Sequence, residues 1–155
     1  MAIKIQDKKI REQVQRDGRI ICEVSFNPSD LSNYNKLLQL MDKISNADKE
    51  QKKQGKVNYI AKDKLQTIED FEKYREDFDK IKNKISIYSE LVKETKKDLD
   101  SIFGEGISDK ITDGTEDLDL LMPLIKWAMP YFQKERKKKV EKYTIGSKKY
   151  EHSNR

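Results

Sequence analysis

The sequence predicts a mainly α protein: a helical bundle with a long central helix and a small N-terminal β-hairpin. Three observations predict it. From Phe71 to Phe103, the residues Phe71, Tyr74, Phe78, Ile81, Ile85, Tyr88, Val92, Thr95, Leu99 and Ile102 recur at alternating steps of three and four. That spacing draws one apolar seam along about nine helical turns, with Lys, Glu and Asp dominating the opposite face. Near the start, Asp17-Gly18 separates two short segments, the second of which alternates apolar and polar residues. Finally, charged residues make up 39 % of the 155-residue chain and apolar ones 35 %, a balance suited to thin, wet helices rather than a thick globule.

Residues 1–28 are expected to hold the hairpin, 29–143 the helical domain and 144–155 a flexible basic tail. After the turn Arg16-Asp17-Gly18-Arg19, the residues Ile20, Cys22, Val24 and Phe26 alternate with Ile21, Glu23 and Ser25, the period of a strand with one apolar face. Before it, Ile10 and Val14 lie four apart, so Lys8 to Gln15 fits a strand or a helical turn or two; the turn chemistry favours the strand. Asn27-Pro28-Ser29-Asp30 punctuates the chain, with Ser29 or Asp30 as the cap of a helix over about 30–46. Leu31, Tyr34, Leu37, Leu38, Met41 and Ile44 form its apolar face. Ala47 to Lys56 is almost entirely charged or amide, a solvated helix extension or a flexible linker, and a polar linker is expected over about 47–66.

Thr67 with Asp70 matches a capping box and opens the long helix, 67–103. Gly104-Glu105-Gly106 ends it, either glycine being free to take the left-handed C-terminal conformation. Ile107 to Gly114 reads as a short, turn-rich link. Asp113 and Thr115 compete as caps of a last helix, about 115–142, with Glu116 and Asp117 in its positive first turn. From Leu118 to Phe132 that helix is apolar on nearly every side, which calls for enclosure or a partner. Pro123 and Pro130 each delete a backbone hydrogen bond and predict a bend or a split.

Nothing comparable points to chemistry. Cys22 is the single cysteine, so no intrachain disulfide forms, and with only His152 beside it a tetrahedral Cys/His zinc site is excluded. Cys22 falls on the apolar strand face with no base near it in sequence. Paired carboxylates such as Glu76-Asp77 sit among lysines, the pattern of surface ion pairs. Asp109, Asp113, Glu116 and Asp117 lack the alternation and closing glutamate of a calcium loop. No phosphate-cradling loop is present. The expectation is no catalytic residue, no metal and no cofactor. MAIKIQDKK lacks the apolar core of a secretion signal and no run approaches the roughly 20 apolar residues of a membrane span, so an intracellular, soluble chain is expected.

Two segments invite partners. Lys134, Arg136, Lys137, Lys138, Lys139 and Lys142 form a basic patch within a chain of net charge +5. It is either a solubilising helix end near the negative pole of the dipole or a surface for nucleic acid, an acidic protein or an anionic membrane. Tyr131, Phe132 and Tyr143 flank it, as stacking platforms for bases or as the packed end of the helix. Trp127 with Met122 and Met129 reads equally as core or as an adaptable partner surface.

The run Leu99-Asp100-Ser101-Ile102-Phe103-Gly104-Glu105-Gly106, then Lys110-Ile111-Thr112-Asp113-Gly114, the apolar helix and the basic Lys134 to Tyr143 end together resemble the tail assembly chaperones of long-tailed phages and prophages of Gram-positive bacteria. The likeness spans about Phe71 to Tyr143. It implies a mostly helical, self-associating, non-enzymatic protein that coats the tape measure protein and helps recruit tail tube subunits. It also implies a site of action in the cytoplasm of the bacterial host, absence from the mature virion and often a longer frameshifted form. On this reading the client-facing candidates are Leu121, Met122, Ile125, Trp127, Met129 and Phe132, while the seam from Phe71 to Ile102 holds the chaperone's own bundle. The alternatives are a basic helical nucleic-acid-binding protein and a structural helical subunit of a phage particle.

Overall fold

The structure is a computed structural model that describes residues 1–153, with side chains described through residue 143. The order is β1 (Ile10–Arg16), β2 (Arg19–Phe26), α1 (Leu31–Lys53), one 3-10 turn (Lys62–Lys64), α2 (Ile68–Lys73), α3 (Arg75–Phe103), α4 (Ile107–Thr112) and α5 (Leu118–Ser153). The chain is mainly helical, with a long central helix and a two-stranded antiparallel hairpin, as expected. The tail expected at 144–155 falls on side chains, and at 154 and 155 on backbone, that lie outside the described residues.

The hairpin turn follows from its two residues. Asp17 (φ 51°) and Gly18 (φ 80°) both take positive φ, the requirement of a two-residue type I′ turn. One feature of the pairing departs from simple alternation. Val14 faces Cys22 but Gln15 faces Ile20, so Ile21 is an extra residue, a bulge. The bulge turns Ile20 out to solvent, 58 % exposed, instead of leaving it on the apolar face with Cys22, Val24 and Phe26. On β1, which carries no extra residue, Arg16 lies two residues from Val14 and shares its helix-facing side. There its guanidinium donates to the carbonyls of Lys110 (3.3 Å) and Ile111, satisfying the negative C-terminal end of α4.

Asp30, not Ser29, caps α1: its carboxylate accepts from the amides of Ser32 (2.9 Å) and Asn33 (3.4 Å). The helix then runs on to Lys53, so Ala47 to Lys53 is a solvated helical extension, and the expected linker shortens to about 54–67. α1 lies antiparallel to α3. Lys36 Nζ donates to Ser101 Oγ at 2.7 Å, Lys43 meets Asp98 at 3.0 Å, and Lys84 Nζ donates to the Gly55 carbonyl at 2.8 Å.

Thr67 and Asp70 form the capping box in both directions. The helix it opens is not continuous to Phe103. Tyr74 (φ −105°, ψ 20°) separates α2 from α3, although its amide still donates to Asp70 O at 3.2 Å. The break is a kink without glycine or proline, spanned by the Glu72–Arg75 ion pair. Past Gly104, the stretch read as a link folds into α4, tied to α3 by the Ser108 amide donating to Asp100 (2.8 Å). Neither Asp113 nor Thr115 caps the last helix. The Asp117 carboxylate accepts from the Asp119 amide at 3.0 Å, and α5 continues through Pro123 and Pro130 without splitting.

The core is a single cluster of Val24, Phe26, Leu37, Leu40, Leu99, Ile102, Phe103, Ile107, Ile111, Leu121, Leu124, Ile125, Ala128 and Phe132. Phe26 is its hub, with ring centroids at 5.0 Å from Phe132, 5.2 Å from Trp127 and 5.3 Å from Phe103. The hairpin and the helices therefore share one core, and the boundary expected near residue 28 marks no break in packing. The core lies at one end of the α1–α3 pair. From Met41 through Glu90 no residue is buried.

Candidate partner-binding surfaces

Packing sorts the six client-facing candidates into two groups. Leu121 (0 %), Ile125 (2 %) and Phe132 (0 %) are core of the chain itself, which corrects the expectation that they face a partner. The cause is helical phase. These residues share the side of α5 that meets β2, α1 and α4, and Phe132 stacks on Tyr34 at 5.5 Å. Met122, Trp127 and Met129 stay half-buried against that core. Trp127 packs edge-on against Phe26 (5.2 Å) and Tyr131 (5.7 Å).

Trp127 also opens onto a groove of about 270 Å³, which it lines with Val14, Val24, Ile111, Leu120, Pro123 and Leu124. Glu12 is the single charged residue on its wall, and the unpaired edge of β1 runs along it. Leu120 and Tyr131 are exposed and belong to this face, although the all-apolar sequence of α5 gave no reason to choose them. Only the direction of the hairpin decides which residues remain open.

The basic patch is real but unevenly free. Lys134, Arg136, Lys137, Lys138 and Lys142 are exposed, whereas half-buried Lys139 donates to the Ser29 carbonyl. Lys138 pairs with Glu135 at 3.6 Å, and the Lys142 ammonium sits 5.7 Å from the Tyr143 ring centroid. Lys138, Lys139, Lys142 and Tyr143 meet the segment Gln6 to Ile10 across an open cleft of about 600 Å³. Lys8 and Lys9 add their charge there, a convergence invisible from spacing because more than a hundred residues separate the two walls.

The long seam behaves differently from expectation. Only its C-terminal part, from Leu91 and Val92 through Thr95 and Leu99 to Ile102, is buried. Toward the other end Ile85 is 60 % exposed, Phe71 52 % and neighbouring Ile68 82 %. The seam is thus fully buried along half its length, while in the other half Tyr74, Phe78, Ile81 and Tyr88 are half-buried and Phe71 and Ile85 exposed.

Burial pushes the Cys22 thiol up from its ordinary value, with Lys110 and Arg16 opposing more weakly, so it stays a protonated core group. Among the described residues no cluster of three or more His, Cys, Asp or Glu is placed to hold a metal ion, and no helix is long and apolar enough to cross a membrane. The His152 side chain lies outside the described residues. Comparison with family models, curated proteins and solved structures returns no match.

Proposed function

We propose that the protein is a non-enzymatic assembly chaperone. On the resemblance carried by Leu99 to Tyr143, its client is the tape measure protein of a long-tailed phage, and it helps recruit tail tube subunits in the cytoplasm of a bacterial host. The observation that carries the reading is the apolar groove at Trp127. It stays open in a chain whose core is otherwise closed around Phe26. An amphipathic client helix seats one or two side chains in such a groove, while the abundant charge elsewhere keeps the complex in solution. Met122 and Met129 do not line it; they lie about half a turn around α5 from Leu120, Pro123, Leu124 and Trp127.

Leu120→Asp tests this without touching the core, because Leu120 is exposed on the groove wall. The variant should keep its circular dichroism and lose co-purification with a tape measure fragment by at least roughly tenfold, since a charge is placed in an apolar contact. Trp127 emission should shift when the fragment binds the unmodified chain. Unchanged capture by the variant, with silent Trp127 emission, contradicts the reading.

The basic cleft between Gln6 to Ile10 and α5 favours a second reading, a polyanion such as single-stranded nucleic acid held by Lys8, Lys9, Lys138 and Lys142. Phosphate binding releases counterions, so affinity for a labelled oligonucleotide should fall steeply with salt and drop in Lys138→Glu with Lys142→Glu. Mass spectrometry of purified virions separates both readings from a structural subunit, which alone must be present in the particle.

A further inference from the structure

We propose that the incompletely covered half of the α2–α3 seam is a two-fold docking surface for a second copy of this chain, paired antiparallel about residues 78–81. The seam is a strict heptad: Phe71, Phe78, Ile85, Val92 and Leu99 on one position, Tyr74, Ile81, Tyr88, Thr95 and Ile102 on the other. That is the pattern of a coiled-coil seam, which buries itself only against another helix. α5 supplies cover no further than Tyr88, whose hydroxyl accepts the Leu118 amide at 2.9 Å where α5 begins. Beyond that point the stripe runs on through Ile85 and Phe78 in α3 and, across the Tyr74 break, to Phe71 in α2. The Phe71 and Phe78 rings stack on each other at 5.4 Å.

Charge selects the occupant and its direction. Residues 69–79 carry six carboxylates against Lys73 and Arg75, net −4. Residues 80–84 carry Lys80, Lys82 and Lys84 with no acid. Among the described residues no ion pair joins these two stretches within the chain. A parallel partner would set acid beside acid, whereas an antiparallel second copy sets Glu76, Asp77 and Asp79 of each chain beside Lys80, Lys82 and Lys84 of the other. The surface is complementary to itself, the condition for a closed two-fold interface. In this register Asp77 of each copy lies near Lys84 of the other, at the flanking positions that set partner choice in coiled coils; the Lys84 ammonium, which donates to the Gly55 carbonyl at 2.8 Å within its own chain, turns to this carboxylate on pairing.

Sedimentation equilibrium of the full chain tests this independently of the Trp127 groove. A dimer is expected at tens of micromolar. Phe71→Glu combined with Ile85→Glu should weaken it by at least roughly tenfold, with helicity unchanged because neither side chain is buried. Asp77→Lys and Lys84→Glu should each be monomeric alone and form a one-to-one heterodimer when mixed, a rescue no misfolded pair would give. A wild-type monomer throughout the range, dimers that survive the double substitution, assemblies that grow beyond two, or a mixture that fails to pair would each overturn the proposal.

Discussion

Phe26 ends the strand that the Asp17-Gly18 turn begins, and three aromatic rings on α3 and α5 close on it within 5.3 Å. Removing one of them is expensive. Phe132→Ala should cost about 3–5 kcal/mol, read as a lower urea midpoint with an unchanged slope. Position on the bulge makes a sharper contrast. Ile20→Lys should change stability by no more than about 0.5 kcal/mol, because Ile20 already faces water, whereas Val24→Lys should prevent folding. The local signals at this scale were readable from neighbours in the sequence: Asp-Gly for positive φ, Asp30 among two possible caps, Thr67 with Asp70. Ile20 was not, since a bulge is a property of two strands and no single strand encodes it. Asp70 adds a pH dependence. The amides of Gln66 (2.9 Å) and Thr67 (3.0 Å), in that order, hold its carboxyl below the usual aspartate value. A depressed folded-state pKa means that the cap is complete at neutral pH and is lost as pH falls through that value. The Gln66 and Thr67 amide signals should therefore titrate together, with a midpoint below that of an unperturbed aspartate; a midpoint at or above it contradicts the cap.

At the scale of elements, α3 carries one periodicity and two fates. Its C-terminal half is buried and its N-terminal half is not, so amide exchange over 75–88 should be at least roughly tenfold faster than over 91–103. Equal protection in the isolated monomer contradicts that division. Val92→Asp should unfold the core, and Ile85→Asp should leave it intact. The heptad specified a helix because the 3.6-residue repeat is local, but the point where cover ends depends on where α5 starts, beside Tyr88. α5 shows the converse. Apolar on all sides, it offered no contrast by which Leu121, Ile125 and Phe132 could be told from Leu120 and Tyr131. α4 escaped the sequence reading although Ile107 and Ile111, four apart and both buried, carried its signal. Two helical turns are too short a window for periodicity to outweigh the flanking glycines.

The whole molecule is a core at one end and a slender α1–α3 arm at the other, with no buried residue from Met41 through Glu90. Replacing residues 48–87 by a short Gly-Ser link should leave a cooperatively folding core whose Trp127 keeps its near-ultraviolet signal; loss of that signal would show that the arm supports the core. The same molecule should fail to dimerise if the heptad stripe is the docking surface. The sequence by itself determined the hairpin turn, the two long helical periodicities and the Thr67–Asp70 capping box, because each rests on spacing or chemistry within a few residues. Tertiary structure alone decided which apolar residues are core and which are surface. That choice belongs to contacts between residues as distant as Phe26 and Phe132 or Tyr88 and Leu118, and a helix that is greasy all round, or a seam longer than its cover, carries no local mark of where its neighbours stop.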